Sequence, residues 1–139
     1  MLNVVRQMRN QVLYRRNNKT AAGSLVDKNI DPVSGSKFWS IEGEKVQLTW
    51  FDVPANTHFS KHEHDSEQVT YVLEGELFLK AGNSVYKLSN GDCILIPGNV
   101  EHRVWTEKIP AKAIDAWSPI NKNYSGKDEK VFLKIKTKP

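Results

Sequence analysis

From Lys37 onward, apolar and polar residues alternate with a period of two, the spacing of strands with one buried face. Phe38-Trp39-Ser40-Ile41 and Val46 to Val53 read as strands, the second placing Val46, Leu48 and Trp50 on one face. Pro54-Ala55-Asn56 breaks that run. Gln68 to Leu73 and Glu76 to Leu79 are β runs joined across Glu74-Gly75, a hairpin signal. Gly82-Asn83 turns into Val85 to Leu88, Asn90-Gly91 into Asp92 to Ile96, and Pro97-Gly98-Asn99 into Glu101 to Thr106. Ala111 to Trp117 is one more strand, stopped by Pro119, and Val131 to Lys136 alternates cleanly again. Short strands with a turn signal every eight to twelve residues predict an all-β sandwich or closed barrel. Leu2, Val5, Met8 and Val12 fall near helical spacing, although Leu2 to Leu13 also suits an edge strand. The chain thus divides into an N-terminal extension (1–36), a barrel (37–120) and a tail carrying a strand (121–139).

Composition narrows the class. With 139 residues, 39% of them hydrophobic, the chain has the size of one domain with one core. No run approaches the roughly 20 apolar residues of a membrane span. A lone cysteine, Cys93, excludes a disulfide framework or a Cys-rich zinc module, and its apolar surroundings read as those of a buried small hydrophobe. The net charge of +4 is unevenly placed, with Arg6, Arg9, Arg15, Arg16 and Lys19 ahead of the first acid, Asp27. That segment is similar in composition to a transit peptide, yet suits a solvated arm or an oligomer contact better. Without an apolar signal region, a cytoplasmic location is expected, with no nucleic-acid or membrane partner. Leu2 to Leu13 and Val131 to Lys136 offer edges for a neighbour, so a homodimer is expected.

The chemistry gathers at the histidines. His62 and His64 are two apart, so on a strand both imidazoles project into one space, a start to a divalent-metal site. Gln68 follows four residues later, and Gly75 seven after that. Then Gly91, Pro97 and Asn99 lead to His102. This arrangement resembles the two signature motifs of the cupin superfamily: H-x-H, a carboxylate or amide, and Gly, then G-x5-P-x-G-x2-H. Asn99 stands where the second motif has its last glycine, and Asn tolerates the left-handed turn required.

The resemblance covers about Lys45 to Pro119. It implies a conical double-stranded β-helix (jelly-roll) barrel, with Gly75 and Gly91 in hairpin turns and His62, His64, Gln68 and His102 as ligands of one first-row metal ion (Fe, Mn, Ni, Zn or Co). Strand parity favours Gln68 over Glu67, because Gln68, Thr70 and Val72 share a face. His58, ahead of the motif, reads as structural.

Asp115 and Trp117 share a face of the last barrel strand, and Asp115-Ala116-Trp117-Ser118-Pro119 resembles a stretch of cupins that act on unsaturated uronates. The arginine of those proteins is replaced here by Asn121, which removes a bidentate partner for a sugar carboxylate. Asp115 is the candidate general base, and Trp117, Thr70, Val104 and Trp50 are candidates to touch a substrate, although the tryptophans read more readily as core. The expected activity is metal-dependent isomerase or lyase chemistry on a carbohydrate-derived or other oxygenated, anionic small molecule. An iron-dependent dioxygenase and a non-catalytic binding module are the alternatives.

Overall fold

A computed structural model describes residues 30–61 and 64–124. Seven strands and one 3-10 turn occur among them: β1 (Lys37–Glu42), β2 (Gln47–Val53), β3 (Glu67–Ala81), β4 (Ser84–Ser89), β5 (Cys93–Ile96), β6 (His102–Trp105), β7 (Ala111–Ser118) and η1 (Lys122–Tyr124). Every pairing is antiparallel. Leu2 to Leu13 and Val131 to Lys136, on which the expected dimer rested, lie outside the described residues, as does His62.

The expected hairpin at Glu74-Gly75 is instead one unbroken strand. β3 pairs with β7 and β5 through its first half and with β4 and β6 through its second, so it belongs to two sheets. The crossing is made by a register shift between Val72 and Glu74, followed by Gly75 at φ +84°. A Cβ on Gly75 would fall 1.8 Å from the Pro110 carbonyl oxygen, so only glycine lets the two backbones approach there. A glycine with positive φ next to an acid reads as a turn from sequence alone, but here the same freedom bends a strand.

The first sheet runs β1-β2-β7-β3-β5 and the second holds β4, β3 and β6. The core lies between them, built from Phe38, Phe51, Val53, Phe59, Val72, Leu77, Leu88, Ala111, Ala113 and Trp117. Phe51 is its hub, packing edge-on against Phe59, Trp117 and Tyr124.

Two further expectations are corrected. On β2 the buried face is Gln47, Thr49, Phe51 and Val53, so Val46, Leu48 and Trp50 point outward. Trp50 stacks there on Trp39 with ring centroids 5.2 Å apart. Cys93 is exposed, because the odd residues of the four-residue strand β5 face away from the core. No helix among the described residues is long and apolar enough to cross a membrane.

Candidate functional site

The inner face of the first sheet is polar at one end. Directly opposed residues give two lateral rows, Thr49–Asp115–Thr70 and Gln47–Trp117–Gln68, all buried. Such rows are tolerated inside a barrel when most of their groups find partners, and Trp117 Nε1 is the exception among these six residues. Gln47 accepts from the Asn121 backbone N–H at 2.7 Å and donates to the Tyr124 carbonyl at 2.9 Å, tying the segment after β7 across the barrel. Ser40 donates to that same carbonyl, and Tyr124 donates its hydroxyl to Asp31. Asn121, at the position where arginine stands in the uronate-active cupins, is thereby a buried structural residue.

Gln68, Thr70 and Asp115 form a directed chain. The Thr70 hydroxyl donates to Asp115 Oδ1 at 2.6 Å, while Gln68 Nε2 donates to Thr70 Oγ1 at 2.9 Å and lies 3.4 Å from Asp115 Oδ2. This orients the amide so that its oxygen, Oε1, turns to His64 Nε2 at 3.1 Å. The edge-on ring of His102 lies 4.9 Å from that of His64, centroid to centroid. Parity is borne out here, since Gln68 is buried and Glu67 exposed. Burial pushes the Asp115 carboxyl up from 3.8 to about 7, against the opposing pull of the Thr70 hydrogen bond. Burial also raises the Tyr124 hydroxyl well above its ordinary value, with Asp31 adding to the shift.

The histidine tautomers follow from their outer partners. His64 Nδ1 meets the Ser66 carbonyl at 3.0 Å and His102 Nδ1 the Val100 carbonyl at 2.8 Å. A carbonyl only accepts, so each Nδ1 carries a proton and a neutral ring keeps its lone pair on Nε2. At His64 that lone pair faces another acceptor, Gln68 Oε1. Two acceptors 3.1 Å apart are reconciled either by a second proton on the ring or by a cation beside both. Two neighbouring imidazoles held from behind by carbonyls, with an amide oxygen beside one of them, are therefore a donor set that fits a divalent metal. Among the described residues, which exclude His62, no three His, Cys, Asp or Glu side chains are grouped to hold a metal.

The loops carrying the histidines are pinned to each other. The Asn99 N–H donates to the His64 carbonyl at 2.7 Å from a left-handed turn (φ 63°), as expected for Asn in the last glycine's place. A Cβ on Gly98 would lie 2.6 Å from the Asp65 carbonyl, so the glycine permits this contact.

Behind the polar end is a cavity of about 30 Å³, lined by Gln68, Thr70 and Asp115 and otherwise by apolar groups including Phe51, Val104 and Trp117. The structure thus brings together His64, Gln68, His102, Thr70, Asp115, Trp117 and Val104. It does not bring Trp50, which lies on the opposite face of the sheet. His58 is exposed and bridges to Trp105. Sequence reasoning missed Gln47 and Tyr124; the one available signal was a Gln on an otherwise β-prone run.

Comparison with known proteins agrees with this architecture. The cupin domain family model matches residues 49–117. Acireductone dioxygenase from Tuber melanosporum is 31% identical over 77 residues, covering 47% of this chain and 44% of that protein. The same-named protein from Heterostelium pallidum is 32% identical over 84 residues, 52% of this chain and 58% of that one. The match therefore spans about half the length of these relatives. An RmlC-like cupin from Shewanella frigidimarina superposes with a TM-score of 0.63 at 23% identity, over 68% of this chain and 86% of that one. Two sheets joined by a bent strand, two motifs meeting at one polar end and this family match lead to one conclusion: the chain belongs to the cupin superfamily.

Proposed function

We propose that the protein is a metal-dependent enzyme of isomerase or lyase type that moves a proton on a small oxygenated substrate. His62, His64, Gln68 and His102 hold one divalent first-row metal ion. The observation that carries this reading is the buried Gln68–Thr70–Asp115 chain beside two tautomer-fixed imidazoles. When bound, the metal supplies Lewis-acid polarisation of a ligand oxygen. Histidine and glutamine leave its charge uncompensated, which favours an anionic oxygen ligand. Asp115, with a pKa of about 7, exchanges a proton near neutral pH, and the Thr70 hydroxyl and Gln68 amide hold its two oxygens in place at the cavity wall. Trp117 and Val104 line the apolar wall and exclude water. A homodimer working without nucleic acid or membrane completes the reading.

A specific observation supports a second reading, an iron-dependent dioxygenase: the 31–32% identity to acireductone dioxygenases across the motif region. The experiment is metal analysis of purified protein, followed by turnover of hydroxy-ketone and enediol substrates by zinc-, nickel- and iron-loaded forms. About one metal per chain, lost in His102→Ala, with turnover independent of dioxygen, is the expected result. Dioxygen uptake only with iron would favour the second reading. Unchanged metal content in His62→Ala and His102→Ala would sink both, and loaded protein without turnover leaves a binding module.

A further inference from the structure

The outer face of the second sheet carries two cations and an aromatic pair that neither the core nor the metal site uses. On the second half of β3, Leu77 and Leu79 are buried, so Phe78 and Lys80 point outward. On β6, His102 is buried and Arg103 and Trp105 share the outward face. The registers set Phe78 beside Trp105 and Lys80 beside Arg103. The two rings stack with centroids 5.7 Å apart and 13° between their planes. The Trp105 indole N–H donates to Glu107 at 3.2 Å, which holds the ring in that orientation.

Nearby lysines have their own acids: Lys87 meets Glu76 at 3.1 Å and Lys61 meets Glu101 at 3.2 Å. Lys80 and Arg103 instead oppose each other, and neither has an ion pair or side-chain hydrogen bond among the described residues. Like charges directly opposed on a ladder repel, so an anion between them removes that cost and gains charge-assisted hydrogen bonds. Both side chains line a polar recess of about 240 Å³ at the Gly82-Asn83 turn. Lys61 and Glu101 line it too and neutralise each other, which leaves Lys80 and Arg103 uncompensated. A phosphate monoester carries about two negative charges at neutral pH, which matches that pair.

The recess does not stand alone. Arg103 and Lys61 also line a larger open groove of about 690 Å³, whose wall includes Trp105 and His58. Arg103 and Trp105 are two residues apart on β6, or about 7 Å, within the reach of one small molecule.

We infer that this face binds a small phosphate monoester carrying a flat ring, with the phosphate between Lys80 and Arg103 and the ring against Trp105. The inference is independent of the metal-site reading.

Phenyl phosphate, added to the metal-free full chain at constant ionic strength, is expected to shift the Arg103 Nε–H and Trp105 indole N–H signals in NMR. Inorganic phosphate lacks the ring and benzoate lacks the second charge, so each is expected to bind several-fold more weakly. Lys80→Gln and, separately, Arg103→Gln are expected to weaken phenyl phosphate at least about 10-fold, as the loss of one bond to a charged group does. Lys80→Glu is expected to abolish binding and yet raise the urea midpoint of the free protein, because it turns opposed like charges into an ion pair. A misfolded variant could not do both. Signals that move elsewhere but not at Arg103 and Trp105 would overturn the inference, as would an affinity unchanged in both glutamine variants. Inorganic phosphate or benzoate binding as tightly as phenyl phosphate would overturn the assigned ligand class.

Discussion

The two faces of the first sheet differ in a way their alternation does not announce. Its inner face carries the core residues Phe38, Phe51, Val53, Val72, Ala113 and Trp117 and, beside them, the buried polar Ser40, Gln47, Thr49, Gln68, Thr70 and Asp115, whereas its outer face carries Trp39, Ile41, Leu48, Trp50, Val69, Tyr71 and Leu95. In an ordinary half-buried sheet the apolar set faces the core. Here the inner polar groups are satisfied by one another and by the segment at Asn121 and Tyr124, so they persist inside and shape a site. Among the outer apolar groups, Trp39 and Trp50 stack on each other. Both faces of the sheet thus mix apolar groups with polar ones, and alternation alone does not say which face turns inward.

This contrast can be broken at measurable points. The largest effect is expected at Phe51, the one aromatic on the inner face of β2. Phe51→Ala removes the hub ring and should cost about 3–5 kcal/mol in urea unfolding. Its outward neighbour Trp50, truncated to Ala, should cost well under half of that and leave metal content unchanged. Equal losses would mean the faces are not distinct.

Asp115 should sharpen the comparison through pH. In metal-free protein the folded state holds the Asp115 proton up to about pH 7, whereas the unfolded chain releases it near 3.8. Between those limits the folded state binds more protons, so stability is fullest below about pH 4 and falls as pH rises to about 7. Asp115→Asn should abolish that slope and stabilise the metal-free protein at pH 8 by about 2–4 kcal/mol, measured by urea titrations across pH. A destabilised Asn variant with the slope intact would show that the buried carboxylate is not the source.

A smaller change follows at Thr70. Thr70→Val removes the hydroxyl that lowers the Asp115 pKa, so the carboxyl should titrate higher still in carbon-detected NMR. The lost hydrogen bonds should cost about 1–3 kcal/mol. An unmoved titration would separate Thr70 from Asp115. Smallest of all is Leu48→Ala on the outer face, expected to change monomer stability by about 0.5 kcal/mol or less.

Much of this was legible in the chain. Apart from β3, read as two runs, the period of two located the strands between Lys37 and Ser118 to within a residue or two, and turn residues placed β4, β5 and β6. Motif spacing singled out His64 and His102, whose rings lie 4.9 Å apart, and parity put Gln68 on the inner face and Glu67 on the outer one because a side chain's face depends only on its own strand. Asn99 took the left-handed turn its residue type allows.

What the tertiary structure alone decided has a common cause. Alternation defines two faces of a strand but not which one turns inward. On β2 that was settled by partners distant in sequence: Asn121 and Tyr124, held by Gln47, and Tyr124, Phe59 and Trp117 packed on Phe51. Trp50 faced outward for this reason, against the pull of its apolar surroundings in sequence. Gly75 belonged to a bend and not a hairpin because the Pro110 carbonyl occupies the space of its missing Cβ. A sequence records each strand's own periodicity, which is local. Burial and close approach depend on what the rest of the chain brings to that surface, and only packing supplies that.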